Sequence, residues 1–274
     1  MAVLQICRDR TGGFFVWKLI ESLCDEAGMP QASYIKRHHF QTWRGLWPNL
    51  PYDFFEVDHL SIWPWGCFCD VDVLLREVVV DVPAYVKTCR HVMSESWYFA
   101  RHAEILPLFD SIVYLVRDPR DSLVSMAEFE FKPYRRMYGW SEAASPSDYI
   151  ERNIEGVLSS WESHVLGFKA VQETYNIHFL HYERLVQEFD GTVTELAAHM
   201  GVPLRSDAAL ARIKHAVDFE RMKKEFPGHL QHGRTSRYRE ILTARQQEMA
   251  LSYCGKGLAV MGYEAHSPGP AGVA

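Results

Sequence analysis

The chain has 274 residues, of which 47% are hydrophobic and 23% charged, enough to bury the core of one domain or at most two. A formal charge of −6 excludes a general nucleic-acid or polyanion binder, while leaving room for a local basic pocket that takes a small anion. No apolar run approaches the roughly 18–20 residues of a membrane span, so neither a nucleic-acid nor a membrane partner is expected.

The N-terminus reads MAVLQIC and then turns charged. It lacks the basic start, long apolar stretch and cleavage site of a signal peptide, and the expected location is the cytoplasm. The cysteines are Cys7, Cys24, Cys67, Cys69, Cys89 and Cys254. None forms a CxxC pair, and no Cys/His pair sits at zinc spacing, so they read as reduced thiols and no metal is expected.

Residues 3–7, 112–116 and 177–180 are short apolar runs of the kind that form buried parallel strands. Residues 78–82, or 84–87 just after Pro83, offer a fourth. Apolar residues recur at helical spacing over 15–27, 122–131, 154–174 and 192–200. Strands alternating with helices predict an α/β fold, a P-loop-like central parallel sheet flanked by helices on both faces. No repeat is evident. A single domain is expected over 1–266, followed by a disordered Pro- and Gly-rich tail over 267–274. The stretch 38–70 stands apart: it holds Trp43, Trp47, Tyr52, Phe54, Phe55, Trp63 and Trp65 without a steady period. It reads either as the wall of a substrate pocket or as core under long loops.

Two strand–turn–helix junctions have the composition of anion sites. In the first, Arg8-Asp9-Arg10-Thr11-Gly12-Gly13-Phe14-Phe15 follows the first strand. Its glycines allow close backbone approach, and the coming helix adds positive charge. The GK[ST] ending of a nucleotide-triphosphate loop is absent. In the second, Arg117-Asp118-Pro119-Arg120-Asp121-Ser122 ends a strand. Pro119 presets a helix that Asp118 or Asp121 can cap. Arg117 and Ser125 can then face one anion at the sheet edge, although an Arg117–Asp121 ion pair satisfies the same spacing.

These residues resemble the PAPS-dependent sulfotransferase family, which uses 3′-phosphoadenosine-5′-phosphosulfate (PAPS) as donor. Arg117 and Ser125 match its 3′-phosphate site, and residues 10–15 match its KSGTTW loop. Trp161 to Phe168 is similar to its WxxHVxxW helix, and Tyr182-Glu183-Arg184-Leu185 to its YEDL turn. Residues 217–222 and 233–239 resemble its adenine segment and closing loop. The resemblance implies a sulfuryl transferase that releases adenosine 3′,5′-bisphosphate (PAP) and needs no metal. Arg10, Thr11, Gly12, Gly13 and Phe14 would serve the 5′-phosphosulfate. Arg117, Ser125 and Arg234, with Gly233 and Thr235 beside it, would hold the 3′-phosphate. Phe15, Tyr182 and Phe219 would contact the adenine. The two basic turns are thus expected at opposite ends of one nucleotide.

The chain departs from that pattern in three places. Arg10 replaces the usual lysine, supplying charge but no proton at neutral pH. Cys89 stands where the family's KTH motif has its basic histidine, and His91 follows two residues later. A two-residue slip on an extended chain keeps the same face, so His91 is expected as general base, with His38, His39, Asp58, His59 and His102 as rivals. Gln231 and His232 stand where the closing loop usually carries Arg-Lys, with Arg234 and Arg237 as replacement charge.

The expected acceptor is a small molecule offering a hydroxyl or an amine or guanidine nitrogen, such as a natural product. The aromatic stretch suits a flat, apolar or cationic ligand. A non-catalytic PAPS or PAP binder and a phosphotransferase on the same scaffold remain alternatives, and the oligomeric state stays open, a homodimer included.

Overall fold

A computed structural model of the chain describes residues 1–29, 40–63, 65–70, 78–79, 82–83, 86, 91–94, 102–137, 139, 141–202, 204–230 and 232–264. Its first half runs β1 (Val3–Ile6), α1 (Gly13–Glu26), α2 (Phe40–Leu46), β2 (His59–Trp63), β3 (Gly66–Asp70), β4 (Val78–Val79), β5 (His91–Ser94), α3 (His102–Ile105) and β6 (Ser111–Val116). Then come α4 (Pro119–Glu130), α5 (Pro133–Met137), α6 (Pro146–Ala170), α7 (Gln172–Tyr175), β7 (Ile177–His181), α8 (Tyr182–Gln187) and α9 (Phe189–His199). The chain closes with α10 (Asp207–Ala216), α11 (Phe219–Glu225), α12 (Tyr238–Ile241) and α13 (Ala244–Val260). The expected tail at 267–274 lies outside the described residues.

The chain forms two compact units. The first comprises Met1–Arg8, Gly12–Val116 and Val171–Gly233, and the second Asp9–Thr11, Arg117–Ala170 and Arg234–Ala274.

The first unit holds one sheet with strand order β4-β3-β2-β5-β1-β6-β7. The pairs β2–β5, β5–β1, β1–β6 and β6–β7 are parallel, which is the expected core. β2–β3 and β3–β4 are antiparallel, so the sheet is mixed, with a hairpin edge that the parallel expectation did not include. Every residue of β1 and β6 is buried, because a parallel strand covered on both faces has no solvent side. Val16, Leu19, Ile20 and Leu23 form the apolar stripe of α1 and are fully buried with Val3, Val113 and Leu196. Each such side chain contributes about 1.5–3 kcal/mol.

The second unit is helical. Asp118 caps α4 by accepting the Arg120 N–H, and Pro119 occupies the first turn. Thr243 and Gln246 form a reciprocal capping box at the start of α13. α13 approaches α6 closely at Gly257, where a Cβ would lie 2.6 Å from the Trp161 ring. The Gly257 N–H donates to Glu162 Oε2 at 2.8 Å. Among the described residues, no helix is long and apolar enough to cross a membrane.

Candidate functional site

In the first unit, the turn after β1 enters α1 through Gly12, whose φ of 101° and ψ of 24° are left-handed. Only glycine takes that conformation without strain. A Cβ there would also meet the Tyr182 ring at 2.7 Å. At Gly13 a Cβ would lie 3.0 Å from Cys7 Sγ and 3.1 Å from Met93 Sδ. Two positions read from sequence as allowing close backbone approach are thus also restricted by packing. α1 starts with no side-chain cap and no acidic residue in its first turn, so its leading N–H groups and positive dipole end favour an anion.

The aromatic residues around this turn divide. Phe15 meets Tyr182 edge-on at 6.5 Å. Phe14 turns its ring into the core, stacked on His229 at 4.0 Å and edge-on to Phe226 at 5.0 Å, so only its backbone is available to an anion. Phe219 opens α11 behind an Asp218 cap. Gly233 has a φ of +63°, and a Cβ there would lie 2.7 Å from the Phe219 ring. Tyr182 is therefore brought to Gly12, and Phe219 to Gly233.

In the second unit, the Arg117 guanidinium is buried and donates to two carbonyls. Nη1 reaches Arg10 O and Nη2 reaches Arg234 O, each at 3.0 Å. Arg10 itself has a φ of 60°. Its guanidinium lies over the Phe129 ring at 4.2 Å, with Nε 3.4 Å from Ser125 Oγ. Arg10 and Ser125 were assigned by resemblance to opposite ends of a nucleotide, yet the structure sets them side by side. Thr11 is fully buried, Arg234 is exposed, and Thr235 is half-buried.

Sequence reasoning named several of the residues that hold this arrangement but not the contacts they make. Asp121 accepts the N–H of Ser236 at 2.6 Å and that of Tyr238 at 2.9 Å, anchoring the segment that follows Arg234. Burial, the largest influence, raises the Asp121 pKa. Arg120 makes a two-point pair with Asp118 at 2.9 and 2.6 Å and covers the Tyr238 ring at 4.0 Å. Arg237 grips Glu128 with both Nη atoms. The alternating charges of Arg117 to Asp121 were the signal for this network.

The structure corrects the expectation for His91. It is the first residue of β5 and pairs with Val3, at the opposite end of β1 from the glycine turn. Three residues of strand separate the two ends, about 10 Å. Its ring is fully buried and stacked on Trp17 at 3.9 Å. Burial, with a smaller effect of the Lys18 charge, lowers its pKa to about 3. A general base must reach the proton it takes, and this imidazole has no exposed surface. Of the rivals, Asp58 and His59 are buried, and His38, His39 and residues 87–90 lie outside the described residues. In the aromatic stretch, Phe54 and Phe55 are fully buried, whereas Trp65 is 67% exposed and stacks on Trp63 at 5.2 Å. Among the described residues, no group of three or more His, Cys, Asp or Glu is placed to hold a metal.

A family model described as a sulfotransferase domain matches residues 102–246, just over half of the chain. Sulfotransferase 2B1 of Mus musculus is 28% identical over 115 residues, 41% of this chain and 32% of that protein. The 3-alpha-hydroxysteroid sulfotransferase of Cavia porcellus is 29% identical over 115 residues, 41% of this chain and 38% of that protein. The matched part thus spans about a third of these curated relatives. Retinol dehydratase, solved with androsterone and the inactive cofactor PAP, aligns with a TM-score of 0.59 at 17% identity, over 94% of this chain and 80% of that one. Mouse sulfotransferase SULT7A1, complexed with PAP, aligns with a TM-score of 0.60 at 14% identity, over 94% and 83%. At such identity these two structures share the fold.

Proposed function

The chain belongs to the PAPS-dependent sulfotransferase family, and on that premise we propose that it moves a sulfuryl group from PAPS to a hydroxyl, or to an amine or guanidine nitrogen, of a small molecule. The observation that carries this reading is the fork of Arg117, which ties the backbones of Arg10 and Arg234 together. Three segments assigned to the nucleotide by resemblance are joined there through one cation. The uncapped N-terminus of α1, made approachable by Gly12 and Gly13, suits an anionic donor as well.

PAPS supplies the activated sulfuryl group, and the remaining chemistry falls to the chain. The N–H groups of Gly13 and Phe14, with Arg10 and Thr11, would bind the 5′-phosphosulfate. Arg117, Ser125 and Arg234 would bind the 3′-phosphate, with Gly233 and Thr235 closing beside it. Phe15, Tyr182 and Phe219 would present ring surface to the adenine. Arg10 stays protonated, so charge and oriented N–H groups, not a transferred proton, would stabilise the departing bisphosphate. No base is assigned, and a nitrogen acceptor would have to attack from its neutral form.

A small-molecule acceptor is supported by a fold relative that was solved with androsterone and with retinol. A cytoplasmic location belongs to the same proposal. Incubation with PAPS and a panel of phenols, steroids and amines tests the reading. Acceptor-dependent release of PAP is expected. Tight PAP binding without any release would favour a non-catalytic binder, and metal-dependent consumption of ATP would favour a phosphotransferase.

A further inference from the structure

A buried chain of hydrogen bonds leads from His91 to the glycine turn, and its direction follows atom by atom. Gln5 is fully buried on β1. Its Nε2 lies 2.8 Å from Gly13 O and 3.5 Å from Met93 Sδ. A peptide oxygen only accepts, so the amide NH2 faces Gly13 and the amide oxygen faces away. That oxygen lies 3.2 Å from His91 Nε2. It too only accepts, so His91 Nε2 carries the hydrogen. The other ring nitrogen, Nδ1, is buried with no hydrogen-bond partner among the described residues, as expected of the bare nitrogen of a neutral ring.

The far end of this chain is the peptide between Gly13 and Phe14. Its C=O and N–H lie in one plane and point in opposite directions. Fixing the Gly13 carbonyl therefore fixes the Phe14 N–H, one of the leading donors of α1 that no helical carbonyl satisfies. Hydrogen bonds in series within a dry interior also polarise one another, which strengthens that donor.

We propose that His91 is a positioning residue: through Gln5 it holds the Gly13–Phe14 peptide so that the Phe14 N–H faces the anionic end of the donor nucleotide. This rests on the reading that the N-terminus of α1 receives that anion. The role explains a fully buried histidine at the start of a strand.

Nitrogen-15 NMR of histidine-labelled wild-type protein tests the first half. His91 should show a protonated Nε2 and bare Nδ1, unchanged between about pH 5.5 and 8. A protonated Nδ1, or titration within that range, would overturn the proposal, whatever the variants do. PAP titrations test the second half. His91→Phe keeps a ring against Trp17 but loses the donor, and its Kd should rise about threefold to tenfold. His91→Gln, which offers an amide N–H, should recover most of that loss. An unchanged Kd in His91→Phe would overturn the positioning role, as packing if only the melting temperature falls, or as a base if turnover is lost. Should wild-type protein take up no PAP, the reading of α1 fails, while the tautomer still decides the His91–Gln5 link.

Discussion

Arg117 donates to the backbone carbonyl of Arg10 across 107 positions of sequence, at 3.0 Å. The second arm of the same guanidinium holds Arg234 O, so one planar fork sets the spacing of two turns. Lysine carries its donors on one nitrogen and lacks the fixed planar fork that spans the two carbonyls here. Arg117→Lys should raise the PAP Kd at least about tenfold, since hydrogen bonds from a buried charged group contribute about 1.5–3 kcal/mol. Titration calorimetry of the variant checks this, and a Kd within twofold of wild type would refute it.

Gly12→Ala faces two separate penalties, a left-handed backbone and a ring 2.7 Å from the new Cβ. The expected destabilisation is about 1–3 kcal/mol, measured by urea unfolding. In a Tyr182→Leu background the steric part should shrink while the backbone part persists. Equal losses in both backgrounds would show that the ring contact is unimportant.

The sequence carried the parallel core because β1, β6 and β7 are short apolar runs followed by helical spacing. It did not carry β2 or β5. His59 to Ile62 is buried on both sides, so the strand lacks the alternation that marks a half-exposed one, and its one tryptophan, Trp63, looks like a loop aromatic. The four residues of β5 begin with a histidine and end with a serine, and their burial comes from neighbours distant in the chain. Around the candidate site, the glycine entry to α1 and the Asp118 cap of α4 were legible because turn and cap chemistry are local properties. The roles of Gln5 and Asp121 were not, since each depends on a backbone group that the sequence places far away or leaves undefined.

Asp121 should be essential to the segment after Arg234. Its two oxygens accept two backbone N–H groups, and an asparagine puts an NH2 donor in place of one of those oxygens. Asp121→Asn should leave one N–H unmet, at a cost of about 1–3 kcal/mol, and speed proteolysis near residues 234–238. Because the folded pKa is raised, the wild-type contribution is fully present below the ordinary value near 3.8 and is lost as pH rises through the folded value. Asp121→Asn should flatten that segment of the stability curve, measured by denaturant unfolding across the acid range. A curve parallel to wild type would contradict the assignment.

Buried and half-buried histidines should make the fold sensitive to mild acid. Burial lowers the pKa of His91 to about 3 and, with the neighbouring His199 charge, that of His178 to about 4. Burial also lowers His199. A depressed folded value means the unfolded chain takes up protons first. The stability contributed is present above the ordinary value of 6.5 and is lost as pH falls towards the folded values. The thermal midpoint should drop between about pH 7 and 5, and His178→Gln should lessen the drop. A midpoint independent of pH across that interval would count against these placements.

Calorimetric titration of the folded chain with PAP addresses the central claim most directly. One nucleotide per chain should bind, more weakly as salt rises, and Arg117→Ala should lose at least about tenfold in affinity. Well-folded wild-type protein that takes up no PAP, or an Arg117→Ala variant that binds it as tightly as wild type, would contradict the account.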